Sequence, residues 1–256
     1  MNQLILWKDI RLFIGQNPRP TIGHSHPIVQ LVVAINGRFK TRVPETGKWI
    51  TQKGLLIKPN HPHQCDAADV PIFSLDIDPD TALGEWVLAY VLKDYPILAY
   101  PSEHFGQVSF ELVNNCLQSD NWDKLYAHIK KVFSFEDEHR QKPKDERIET
   151  IIRHIHNNIH EIISTEQLTN ICFLSESRLL HLFKKEMGLP IRNYILWYRL
   201  KVALEHILNG GSLTEAAHMA GFSDQSHFTR TCQKMIGVPP SIITKNSKFV
   251  QVSFSS

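Results

Sequence analysis

Gly221-Phe222-Ser223-Asp224-Gln225-Ser226-His227-Phe228-Thr229-Arg230 sets the reading of the C-terminal half. Gly221 and Phe222 make a turn, and Ser223 is placed to cap a helix. On that helix Ser226, His227 and Arg230 share one face, and Phe228, Met235 and Ile236 the other. A short helix, Ser212 to Ala220, stands just before it. Short helix, tight turn and longer helix make a helix-turn-helix, whose second helix has the shape that enters a DNA major groove.

The same unit occurs earlier in the chain. Ser164-Thr165-Glu166-Gln167 and Ser212-Leu213-Thr214-Glu215 are both capping boxes, in which the serine and the fourth residue satisfy each other's backbone N–H. Ser164 precedes Ser175, and Ser212 precedes Ser223, by eleven residues in each case. Gly188 closes the first unit and Gly237 the second. Pro190 opens a joining helix from about Ile191 to Leu208, and Gly210-Gly211 ends it. One such unit is compatible with any helical bundle. Two with matching caps, joined by a helix about 27 Å long, suit two major grooves roughly 34 Å apart.

Residues 146–240 resemble the DNA-binding domain of the AraC/XylS family of transcription regulators. The resemblance is carried by Leu179-x-x-Leu182-Phe183-Lys184-Lys185-Glu186-x-Gly188, by Arg199-Leu200-x-x-Ala203, by Ala216-x-x-x-Ala220-Gly221-Phe222-Ser223-Asp224-Gln225-Ser226-x-Phe228-x-Arg230, and by Gly237-x-Pro239-Pro240. It implies that Ser177, Arg178, Leu180 and His181 of the first unit and Gln225, Ser226, His227 and Arg230 of the second face DNA. In the major groove Gln pairs with adenine and Arg with guanine, while Ser and His make single hydrogen bonds. The chain departs from the family at Thr169, Cys232, Gln233 and Ile243-Thr244. These changes imply a slightly looser second core and a weaker phosphate grip.

The 256 residues, 42% hydrophobic and 21% charged, are enough for two globular domains. Residues 1–143 hold 15 Lys/Arg against 16 Asp/Glu, and residues 144–256 hold 13 against 10, so the second half is the basic one. Cys65, Cys116, Cys172 and Cys232 show neither metal-ligand nor redox spacing, which suits a reducing compartment. Lys8, Asp9 and Arg11 interrupt the apolar start, so it does not read as a signal peptide. The longest apolar runs, such as Leu31 to Ile35, are too short to span a bilayer. The expected location is the cytoplasm.

The N-terminal half reads as short strands punctuated by turns. Gln30 to Ile35 ends at Asn36-Gly37, a hairpin signal, with Phe39 to Val43 as the returning strand. Thr46-Gly47 marks the next turn, and Trp49–Thr51, Leu55–Ile57 and Ile72–Ile77 supply further strands of a small sandwich or barrel. From Thr81 the pattern turns helical, and Leu125, Ile129, Val132 and Phe133 line one helix face that suits either a dimer contact or burial against the strands. The charged stretch Glu136 to Arg147, with Pro143 inside it, is the expected linker.

His24-Ser25-His26, Gln30 and, downstream, Gly54-x-x-x-x-Pro59-Asn60-His61-Pro62-His63 resemble the two short motifs of the cupin barrel. That resemblance carries the metal-ligand positions of cupins onto His24, His26, Gln30 and His63. Gln30 stands where the ligand set needs a carboxylate, and a neutral amide is a poor substitute. The four residues are therefore expected to bind an effector, with no cofactor. Three imidazoles remain a possible metal set at His24, His26 and His63.

The sequence thus implies an α+β chain of two domains. Residues 1–80 form a cupin-like sensor barrel; residues 81–145 form a helical segment and linker, with possible dimerisation; residues 146–256 form an all-α domain with two helix-turn-helix units. The expected function is sequence-specific transcription regulation without catalysis. The partners would be double-stranded DNA, a small-molecule effector, a second copy of the chain, and RNA polymerase if the protein activates, with no membrane. The alternative is a metal-dependent cupin enzyme fused to a DNA-binding domain.

Overall fold

The computed structural model of the protein describes residues 2–16, 19–43, 47–136, 138–139, 143–244 and 247–252. Thr46 of the expected turn, and Asp137 and residues 140–142 of the expected linker, lie outside the described residues. The chain divides into two compact units. The first comprises Met1–Thr21, Ile28–Gln141 and Asn246–Ser256; the second comprises Ile22–Pro27 and Lys142–Lys245.

The strands of the first unit are β1 (Asn2–Leu6), β2 (Ile10–Gly15), β3 (Val29–Ala34), β4 (Phe39–Arg42), β5 (Trp49–Gln52), β6 (Gly54–Ile57), β7 (Gln64–Asp66), β8 (Ile72–Ile77), β9 (Ile97–Tyr100) and β10 (Ser247–Gln251). They form a seven-stranded sheet, β10-β1-β2-β8-β3-β6-β9, and a three-stranded sheet, β5-β4-β7. Its helices are α1 (Ala82–Trp86), continued as a wider π-turn over Val87–Leu92, then α2 (Phe110–Gln118) and α3 (Trp122–Val132).

β3 explains the layering. Val29, Leu31 and Val33 join an apolar cluster with Leu83, Val113, Leu125 and Ile129 of the helices. Val32 and Ala34 join a second cluster with Phe39 and Cys65 of the small sheet. A strand buried on both faces shows no polar alternation, which is why this segment is apolar apart from Gln30. β4 is buried on one face only, and Phe39 and Thr41 alternate with exposed Lys40 and Arg42.

Four expectations are corrected. Asn36-Gly37 does not close a hairpin: β3 pairs with β6 and β8, while β4 pairs with β5 and β7, so the turn carries the chain from one sheet to the other. Leu125, Ile129, Val132 and Phe133 are at most 4% exposed and lie inside the first unit's core, so that stripe is no dimer face. Ile97–Tyr100, within the segment read as helical, is an edge strand on β6, bracketed by Pro96 and Pro101. The tail, taken as part of the DNA-binding domain, forms β10 parallel to β1. Val250 and Val252 there pack on the first unit's core.

The second unit is helical: α4 (Glu146–Asn157), α5 (Thr165–Cys172), α6 (Glu176–Met187), α7 (Ile191–Leu208), α8 (Leu213–Met219), α9 (Gln225–Ile236) and α10 (Pro240–Thr244). Both capping boxes form: Ser164 Oγ accepts from Gln167 N at 3.1 Å and Ser212 Oγ from Glu215 N at 3.2 Å, with Gln167 and Glu215 reciprocating at 2.9 Å. Ile148, Ile151 and Ile155 of α4 pack with Leu179, Phe183 and Met187 of α6.

The cap of α9 is shifted by one residue from the sequence expectation. Asp224, and not Ser223, accepts from His227 N, at 2.7 Å. Ser223 instead donates its hydroxyl to Asp224 Oδ2 at 3.0 Å. Measured from cap to cap, the second unit is therefore one residue longer than the first.

Each turn pivots on a left-handed residue nine positions after its serine cap: Phe173 (φ 54°) and Gly221 (φ 74°). Phe173 is 93% exposed. Gly221 is hemmed in: a Cβ there would collide with the Ile159 carbonyl oxygen and lie 3.0 Å from Arg199 Nε. The two positions should thus respond oppositely. In urea unfolding, Gly221→Ala is expected to lower stability by about 2–3 kcal/mol, from strain plus collision. Phe173→Gly should raise stability by about 0.5 kcal/mol, since relief of the left-handed penalty exceeds the glycine entropy cost and no buried area is lost. Equal effects of the two changes would refute this account of the turns.

Candidate nucleic-acid interface and the histidine cluster

α6 separates its residues by face. Leu179 and Phe183 are fully buried, and Ser177, Arg178, Leu180 and His181 are all exposed, followed by exposed Lys184 and Lys185. α9 repeats the division: Phe228 and Cys232 are fully buried, and Gln225, Ser226 and Arg230 are exposed. Cys232, one of the departures noted in the sequence, is held by a thiol contact to Val238 O at 3.3 Å, and burial pushes its thiol pKa far up.

Two of the sequence-selected residues on α9 are already engaged. Thr214 of α8 donates its hydroxyl to Gln225 Oε1 at 3.1 Å. His227 is half-buried, its ring edge-on to Phe222 at 5.3 Å and its Nδ1 3.2 Å from Ser223 Oγ. The Ser223 hydroxyl proton is used on Asp224, so Ser223 Oγ accepts from His227 Nδ1–H. That leaves Ser226 and Arg230 as the unencumbered pair among the four, and assigns His227 to bracing the turn. Asp224 is held below the usual carboxylate range, first by the His227 N–H and then by Ser223.

Sequence reasoning placed Arg199 in the family pattern but gave it no role. It lies on α7 and donates from Nε to Ile159 O at 3.3 Å and from Nη2 to Glu161 O at 2.6 Å. It thereby ties the joining helix to the loop after α4, the loop that Gly221 approaches. His156 on α4 also faces α7. Its ring stacks on Tyr198 at 3.8 Å and its Nε2 is 2.9 Å from Tyr194 Oη.

The N-terminal histidines are buried: His24 is 7% exposed, and His26 and His63 are each 2% exposed. The rings of His24 and His26 are 5.7 Å apart. His24 Nδ1 lies 2.9 Å from Ile22 O, and His63 Nδ1 lies 2.9 Å from His61 O. A carbonyl only accepts, so each Nδ1 carries the proton and each Nε2 presents a lone pair. Desolvation pushes the His24 pKa down, which keeps its ring neutral. His24 and His26 fall in the Ile22–Pro27 segment of the second unit, and His63 in the first unit. Buried imidazoles whose Nδ1–H is committed to a carbonyl, as in His24 and His63, fit a Zn²⁺-type ion as well as an organic hydrogen-bond donor. Gln30 donates its amide to Asp76 Oδ1 at 3.0 Å. Asp76 is itself beside Arg11, which Asp78 holds through two oxygens.

Residues 168–246 match the family model of a helix-turn-helix domain. This stretch is an AraC-type helix-turn-helix domain. The probable transcriptional regulator LumQ of Photobacterium leiognathi is 31% identical over 100 residues, 38% of this chain and 40% of that protein. The chain therefore spans less than half the length of this curated relative. The fold of the whole chain is similar to that of ToxT from Vibrio cholerae. An apo form of ToxT carrying a single substitution shows a TM-score of 0.61 at 12% identity, covering 92% of this chain and 96% of that one. Wild-type ToxT with bound unsaturated fatty acid shows 0.56 at 11% identity, covering 93% and 95%. The chain is thus a two-domain α+β protein, with a strand-rich N-terminal domain and a helical helix-turn-helix domain.

His156 predicts how the helix-turn-helix domain responds to acid. Desolvation, and then Lys201, lowers its pKa from 6.5 to about 4. The unfolded chain thus binds the proton more readily than the folded one between those values. This group's contribution is fully present above about pH 6.5 and is lost as pH falls towards about 4. His156→Phe should flatten that part of the pH–stability curve in thermal melts, and an unchanged slope would remove His156 as its source.

Proposed function

We propose that the chain is a sequence-specific transcription regulator: the helix-turn-helix domain binds double-stranded DNA and the N-terminal domain senses a small molecule. The carrying observation is the pair of exposed faces on α6 and α9, each following a capped short helix and a left-handed turn residue. Arg178, Leu180, His181 and Ser177 supply the first reading face. Ser226 and Arg230 supply the second, with Gln225 and His227 at its edge. The protein works by binding, not by catalysis, in the cytoplasm. A second copy of the chain, and RNA polymerase at activated promoters, are its protein partners.

The effector reading rests on the buried histidines and is supported by the ToxT structure with bound fatty acid. Effector binding shifts the balance towards whichever arrangement it binds better, and only that differential affinity changes DNA occupancy. A second reading replaces the organic effector by a divalent ion on His24, His26 and His63, favoured by their being buried imidazoles. Such an ion would supply a fixed positive charge and rigid coordination.

Footprinting is expected to show salt-sensitive protection of two successive major grooves per protomer. Arg230→Ala should weaken specific binding by about 1–3 kcal/mol, and unaltered affinity would remove Arg230 from the reading face. Elemental analysis of the purified protein separates the two effector readings. About one equivalent of metal, lost in His26→Ala, selects the ion. Metal-free protein whose promoter response still depends on His26 and His63 selects the organic effector.

A further inference from the structure

α6 and α9 have equal length and end on a left-handed glycine, Gly188 and Gly237. They therefore correspond residue by residue: Ser177 with Ser226, Leu180 with Thr229, and His181 with Arg230. Leu180 is the anomaly on this face. Leu179, Phe183 and Met187 of the same helix are 0%, 0% and 5% exposed, whereas Leu180 is 39% exposed. Leu182 joins the apolar cluster beneath the helix as a partly buried member, and Leu180 stands outside that cluster.

The surroundings of Leu180 are polar and mostly cationic. Glu176 and Ser177 lie one helical turn before it and Lys184 one turn after, with Arg178, His181 and Lys185 also exposed on the helix. An exposed isobutyl group on a helix that presents Arg178, Lys184 and Lys185 against the single exposed acid Glu176 suits a polyanion that carries a small apolar spot. On the edges of base pairs in the major groove that spot is the thymine C5 methyl. Thr229, at the corresponding position of α9, also ends in a methyl group, immediately before the guanidinium of Arg230.

We propose that Leu180 is a specificity-determining residue that selects a thymine in the half-site read by α6, by packing on its C5 methyl. The inference rests on the DNA-binding reading given above and names the base and the chemical group recognised.

The test uses the full chain and a random duplex library. Selection is expected to enrich a site with thymine at one fixed position of one half. Replacing that thymine by deoxyuridine removes the methyl and leaves the pairing edge intact. Wild-type protein should then bind about 3- to 5-fold more weakly, the scale of one buried carbon. Leu180→Ala should bind the thymine duplex with the same loss and show no further loss on the uracil duplex. Its melting temperature should match wild type, because the side chain is on the surface.

Equal wild-type affinity for the two duplexes would overturn the proposal while leaving DNA binding intact. So would an enriched site with no thymine whose loss depends on Leu180. A chain that enriches no duplex overturns the DNA-binding reading and this inference together. Loss of capture of a protein partner in Leu180→Ala, with site selection unchanged, would assign the residue to a protein contact and overturn it as well.

Discussion

Arg199 holds the helix-turn-helix domain together at its middle. Its guanidinium takes the Ile159 and Glu161 carbonyls just past the end of α4, at 3.3 and 2.6 Å. The Ile159 carbonyl is also the group that the backbone of Gly221 approaches too closely for any side chain. Three elements therefore converge on one oxygen: the loop after α4, the joining helix α7, and the turn of the second unit. Burial lowers the Arg199 pKa, but an arginine starts high enough to stay charged. Its planar fork serves two acceptors at once, which the single ammonium of a lysine does not reproduce. This junction ties α7, which runs between α6 and α9 in the chain, to the loop after α4 and to the second turn.

Within each unit the turn chemistry follows from what it must touch. The first unit has no neighbour crowding its turn, and an exposed Phe173 occupies the left-handed position. The second unit meets the Ile159 carbonyl there, and only glycine fits. The additional residue between the caps of the second unit moves the cap from serine to aspartate. It also frees Ser223 to pass a hydrogen-bond chain from His227 to Asp224. The repeat is thus a shared frame whose second copy is adapted to lie against the first.

Much of this is legible in the sequence, because the strongest signals are local. The capping boxes at Ser164 and Ser212 and the closing glycines Gly188 and Gly237 state their own geometry within a few residues. The strand at Ile72–Ile77 is legible to the residue. What fails depends on partners distant in sequence. Asn36-Gly37 specifies a tight turn, but which sheet receives β4 is decided by which faces of β3 and β4 are buried. The Leu125 stripe is equally apolar whether it meets a second copy or the sheet beneath it. Ser223 and Asp224 are both good caps, and only the helix start distinguishes them. At the histidines, the resemblance to the cupin motifs implies His24, His26 and His63. The attachment of Gln30 to Asp76 requires the β3–β8 register.

The pairing of β10 with β1 has a consequence for biogenesis. The helical unit lies, along the chain, between the two portions that build the large sheet. As the chain emerges from the ribosome, β1 waits with an open edge until the whole DNA-binding unit has been made, and only then does β10 arrive to cover it. An uncovered strand edge is a template for pairing with another nascent chain. The large sheet, begun before the helical unit, is therefore completed only after it has been synthesised.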